Sequence, residues 1–136
     1  MKDETERKRI DALKEAMKKE RGYIYPQWEF VAENDVGFME AYNNLYSSAL
    51  NDGKALPAKT RELIAIALLA YRGLEESVLQ HMKRAMRLGA TKQEILEAVE
   101  TAIVPGGAPT VYTGLCALMR VAGKEKKWRW VIIAGF

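Results

Sequence analysis

The amino-acid sequence predicts an all-α domain of about six helices, and three observations carry that reading. Apolar residues recur at helical spacing through most of the chain. Hard stops separate these stretches: Gly22, Asn51-Asp52-Gly53, Gly73, Gly89, Pro105-Gly106-Gly107 and Gly123. Strand-like alternation is confined to the C-terminal tail, at Trp128, Trp130 and Ile132.

The first helix is expected over residues 3–20, with a narrow stripe of Ile10, Leu13, Ala16 and Met17. Acidic residues lead it (Asp3, Glu4, Glu6) and basic residues trail (Lys18, Lys19, Arg21), which suits the helix dipole. The stripe suits a helix lying on the surface of the core or across a subunit boundary. Tyr23–Phe30 is aromatic-rich and contains Pro26, so it reads as a segment folding over the core with a short helix from Gln27 to Glu33. Asn34-Asp35 can cap a helix over Val36–Leu50, with apolar positions Phe38, Met39, Tyr42, Leu45, Tyr46 and Ala49.

The next helix opens at Pro57, a residue suited to the first helical position. Leu63–Tyr71 is apolar without a break, which predicts a buried helix too short to span a bilayer. Glu62 shares a face with Ala58, Ile66 and Leu69. A helix over Leu74–Leu88 follows, with a stripe of Leu74, Val78, Met82, Ala85 and Met86 and with His81 inside it. The short connection predicts an antiparallel hairpin, so that Glu62 and His81 can face one cavity. Gly89 ends that helix, and Thr91 with Glu94 forms a capping box for another, whose apolar face is Ile95, Val99 and Ala102. Pro105-Gly106-Gly107 breaks the chain. Ala108-Pro109 then opens a last helix with a stripe of Val111, Leu115, Leu118, Met119 and Ala122, in which Cys116 reads as a small buried hydrophobe. The tail beyond Gly123 is basic and then apolar, and reads as an arm packed on a neighbouring subunit in preference to a membrane-surface or partner-binding tail.

Composition bounds the function. A chain of 136 residues is one domain's worth: a core over 36–122, an N-terminal amphipathic helix over 1–22 and a C-terminal arm over 124–136. A net charge of +3, from 21 basic and 18 acidic residues, is too balanced to argue for nucleic-acid binding. The 49% hydrophobic share is high for a small domain and favours a buried oligomer interface. Cys116 is the sole cysteine, so no internal disulfide forms, and the charged start MKDETERKRI lacks a signal-peptide core; a cytoplasmic protein with no membrane span is expected. With one His and one Cys, a metal site of three or four ligands is not supported.

The segment Leu56-Pro57, Lys59-Thr60-Arg61-Glu62-Leu63-Ile64, His81, Gly89-Ala90-Thr91 with Glu94-Ile95 and Glu97, then Gly107-Ala108-Pro109 resembles the carboxymuconolactone decarboxylase family, which is related to the alkylhydroperoxidase D-like proteins. The resemblance implies an alkylhydroperoxidase D-like helical domain in a homo-oligomer, commonly a trimer or hexamer. The peroxidase branch spaces a Glu, two Cys and a His along this frame. Counting from Glu62, the cysteine positions are Leu74 and Ser77 and the histidine position is His81. Dithiol peroxide reduction needs both sulfurs. The chain therefore resembles the decarboxylase-like branch, or a non-redox relative, more than the peroxidase branch.

That branch implies a cofactor-free lyase acting on a small carboxylated lactone or a related carboxylic acid. The electrons left by departing carbon dioxide delocalise into a conjugated carbonyl, so the enzyme has to bind carboxylate and deliver a proton. His81 is the candidate general acid, and Glu62 the partner that fixes its tautomer. Arg84 and Arg72 are candidates to hold a substrate carboxylate, and Ser77, one turn before His81, joins them as a binding residue. A plainer reading pairs Glu62 with Arg61, Lys59 or a backbone N–H. The competing functions are an alkylhydroperoxidase-type antioxidant, for which Cys116 would have to serve alone, and a non-catalytic ligand-binding oligomer.

Overall fold

The computed structural model describes residues 2–124, all of whose regular structure is helical. The expected C-terminal arm, with Trp128 and Trp130, lies outside the described residues apart from its first position. Eight helices run in order: α1 (Glu4–Arg21), α2 (Pro26–Asn34), α3 (Val36–Leu50), α4 (Ala58–Tyr71), α5 (Glu75–Arg87), α6 (Lys92–Thr101), α7 (Ile103–Gly106) and α8 (Ala108–Val121). Among the described residues the count exceeds the expected six partly through the single turn of α7, while the short α2 matches the helix expected from Gln27 to Glu33. Pro105 does not break the chain at once: its ring is accommodated within α7. The break comes at Gly107, whose φ of 73° and ψ of −178° are open essentially only to glycine.

The chain forms two compact units, one up to Arg61 and one from Glu62 onward. The first is organised around Ile10, Leu13, Met17, Ala32, Val36 and Met39, contributed by α1, α2 and α3. Asp3 caps α1 by accepting from the Glu6 amide at 2.7 Å, and Asp35 caps α3 by accepting from the Phe38 amide at 3.0 Å. Trp28 stacks on Tyr42 with ring centroids 4.8 Å apart, so this part of the aromatic segment packs rather than lining an open site. The buried Arg21 lies over the Tyr46 ring at 3.8 Å and donates to Asn43 at 2.7 Å. Arg61 closes the unit by donating to the backbone carbonyls of Ser48 at 2.8 Å and Asn51 at 3.0 Å, which caps the end of α3.

The second unit packs Ile66 and Ala70 of α4, Val78, Leu79, Met82 and Ala85 of α5, Ile95 and Val99 of α6 and Ala117 of α8 around one core, together with Ala90. The capping box of Thr91 and Glu94 is present, with both hydrogen bonds made. Two expectations are corrected here. The apolar helix α4 is not buried all round: Ile64, Leu68 and Tyr71 are exposed by 46%, 59% and 57%. In α8 the buried positions are Thr110, Gly114 and Ala117; Val111 and Leu118 of the expected stripe pack against the core, whereas Leu115 and Met119 are exposed and Cys116 is half-buried. The reason is close approach. A Cβ on Gly114 would fall on the side chain of Val99, so small residues let α8 pack tightly on α6, with Leu115 and Met119 left outward.

Candidate active site

Two helices build the site. On α4 the buried row is Ala58, Glu62, Ile66 and Ala70, each one helical turn from the next. Glu62 has no exposed surface. A carboxylate in that place is sustainable only if both oxygens are satisfied. Glu62 Oε2 lies 2.6 Å from His81 Nδ1, and Glu62 Oε1 accepts from Arg84 Nη1. Both partners come from α5, at positions one turn apart on one face. Val78, Met82 and Ala85 of the same helix are buried in the core.

The exposures of the three groups differ in a useful way. The Arg84 side chain is 6% exposed and Glu62 is sealed, whereas the His81 side chain keeps 14%. Of the three, the imidazole is the group with the largest opening to solvent. Its chemistry follows from its partner. Where the carboxylate is ionised it only accepts, so that Nδ1–H then donates to it and Nε2 is left as the nitrogen for proton exchange.

The structure joins Glu62 and His81 as one hydrogen-bonded pair. Arg84 is drawn in as well, but by Glu62. Ser77 is half-buried in the first turn of α5, one turn before His81 on the same face. Arg72 is exposed next to the end of α4, about 15 Å along the helix axis from Glu62 at the usual rise per residue. Leu74 is the N-cap residue of α5 and is partly exposed. Among the described residues no three His, Cys, Asp or Glu side chains gather as a metal site.

The Arg84–Glu62 ion pair is the feature that sequence reasoning missed. One signal for it was present: Arg84 follows His81 by one turn beside an otherwise apolar stripe, and a carboxylate in an apolar row needs a permanent cation. That signal would have turned Arg84 inward.

The conserved-sequence profile of the carboxymuconolactone decarboxylase family matches residues 37–118, which includes Glu62, His81 and Arg84. The chain belongs to this family. An uncharacterized protein of Methanocaldococcus jannaschii is 32% identical over 97 residues, spanning 71% of this chain and 90% of the relative. A candidate carboxymuconolactone decarboxylase from Burkholderia xenovorans LB400 has the same fold, with a TM-score of 0.74 over 89% of this chain and 99% of that one, at 23% identity. A carboxymuconolactone decarboxylase family protein from Legionella pneumophila, solved in its apo form, superposes with a TM-score of 0.66 at 26% identity, over 86% of this chain and 97% of that one.

Proposed function

We propose that this carboxymuconolactone decarboxylase family protein is a cofactor-free lyase that removes carbon dioxide from a small carboxylated lactone or a related carboxylic acid. The observation that carries the reading is the 2.6 Å contact between Glu62 Oε2 and His81 Nδ1, on a ring that is mostly buried yet keeps some exposure to solvent. In the proposed reaction the bond to the carboxylate carbon breaks and its electron pair moves into the conjugated carbonyl as an enolate. Carbon dioxide leaves. The imidazolium form of His81 gives its Nε2 proton to the carbon, and one proton from water reloads the ring. Glu62 holds Nδ1–H and stabilises the cation that forms during the cycle.

Of the substrate-binding candidates, Ser77 is the best placed, because it shares the His81 face of α5. Arg72 is remote along α4, and the Arg84 guanidinium is engaged by Glu62. A peroxidase would need thiols at Leu74 and Ser77; Cys116, half-buried on α8, is a poor substitute for the pair. The same reading places the protein in the cytoplasm as a homo-oligomer, a trimer or hexamer. Its support is the apolar surface of Ile64, Leu68 and Tyr71 on α4 and of Tyr112, Leu115 and Met119 on α8. No helix among the described residues is long and apolar enough to cross a membrane.

The test is carbon dioxide release from carboxymuconolactone by the wild type and by His81→Ala. Release that is lost in the variant supports the lyase with His81 in the chemistry. A folded wild type that releases none overturns this substrate assignment. Release retained by His81→Ala overturns the role of the histidine.

A further inference from the structure

We infer that Arg84 is a positioning residue, which fixes the tautomer of His81 by holding Glu62 as a carboxylate. The inference rests on the proposed reading of His81 as the proton-transfer group, but its test does not require turnover. Glu62 is sealed from water and is shared between two groups that compete for its charge. Arginine stays protonated in proteins, whereas imidazole can be neutral or charged. With the guanidinium on Oε1, the carboxylate has a permanent counter-ion, and the ring can hold Oε2 while it is neutral. That ring donates from Nδ1 and keeps its lone pair on Nε2.

Without the guanidinium the balance changes. A buried carboxylate facing only imidazole either takes a proton or draws one onto the ring. A protonated Glu62 donates to Nδ1 and moves the ring proton to Nε2. A charged ring carries protons on both nitrogens. Either way the neutral Nδ1–H form is lost.

The other charged groups on the neighbouring elements are paired elsewhere or exposed. Arg120, the one charged residue within α8, donates to Glu75 and Glu76 in the first turn of α5. On α6, Glu94 accepts from the Thr91 amide and Glu97 from Gln93, while Lys92 and Glu100 are exposed. On α5 itself Lys83 and Arg87 are exposed.

The chain has a single histidine, so its imidazole nitrogens can be observed in the full-length, uniformly nitrogen-15-labelled protein without assignment by mutation. In mildly alkaline buffer the wild type is expected to show the neutral Nδ1–H tautomer. Arg84→Lys, which keeps a cation, should preserve it. Arg84→Met should replace it with the Nε2–H tautomer or the doubly protonated ring. An unchanged Nδ1–H signal in Arg84→Met overturns the inference.

If Arg84→Met does not fold, the double variant Glu62→Gln with Arg84→Met decides the matter. Recovery of folding in the double variant supports an electrostatic role, because the uncompensated carboxylate has gone. Equal failure of both means that Arg84 acts by packing, and the inference falls. A wild type with the expected tautomer but no carbon dioxide release would leave the role of Arg84 standing and remove the lyase reading alone.

Discussion

A carboxylate on the buried side of an apolar helix persists only in permanent company, and Glu62 has a guanidinium and an imidazole. Its replacement should therefore cost more than an ordinary polar substitution. Glu62→Ala is expected to destabilise the protein by about 3–5 kcal/mol, because it takes this carboxylate away from the buried Arg84 cation. Urea unfolding followed by circular dichroism measures this, and a loss under about 1 kcal/mol would mean that water replaces the carboxylate freely. The positions of Glu62 and His81 were legible in the sequence, since helical spacing alone puts each inside an apolar stripe. The 2.6 Å between them was not, because spacing along a helix says nothing of the distance between helices. The same limit hid the pairing of Arg84, whose charge reads equally well as a solvated group until its neighbour across the interface is known.

At the scale of the element, the caps and stops were legible because they are local. Asp35, the Thr91–Glu94 box and Gly89 all act within one turn of their own helix. The buried face of α8 was legible only in part, at Val111 and Leu118, because the rest depends on how closely another helix approaches. Gly114→Ala is expected to lower stability by about 1–3 kcal/mol, since the new methyl group meets Val99. An unchanged or raised melting temperature would show that the two helices part at no cost. A second test concerns the tie between α1 and α2. Glu33 accepts from Lys14 and from Lys2, the latter at 3.0 Å, and these bonds, from Lys14 first, hold its carboxyl below the usual carboxylate range. A depressed folded-state pKa stabilises the protein at pH values above the ordinary range, and this stabilisation is lost as pH falls through the lowered value. Glu33→Gln should thus flatten the acid side of the pH–stability profile and leave the slope near neutrality unchanged. An acid limb of unaltered slope would dismiss the tie.

At the scale of the molecule, the all-α class was legible from periodicity, and each unit gathers its own apolar cluster. What periodicity cannot tell is whether an apolar surface is covered by the same chain. The unbroken run of α4 suggested burial on every side, yet Ile64, Leu68 and Tyr71 form an exposed row at helical spacing. In the proposed homo-oligomer a second copy covers that row. Leu68→Glu is expected to reduce the mass measured by light scattering after size-exclusion chromatography, with helical content retained. An unaltered mass would move the contact elsewhere or remove it.

The notch at Gly114 has a further consequence for how α8 can seat. Sliding this helix along its axis by one turn would bring Thr110 or Leu118 beneath Val99, and each carries a Cβ where glycine has none. Only one axial setting therefore accepts the valine, as a keyway accepts its key. A core made mostly of interchangeable aliphatic groups would tolerate several such settings with similar energy. A missing methyl group thus serves this protein as a positional mark, and it selects one arrangement of the helix from a ladder of near-equivalent ones.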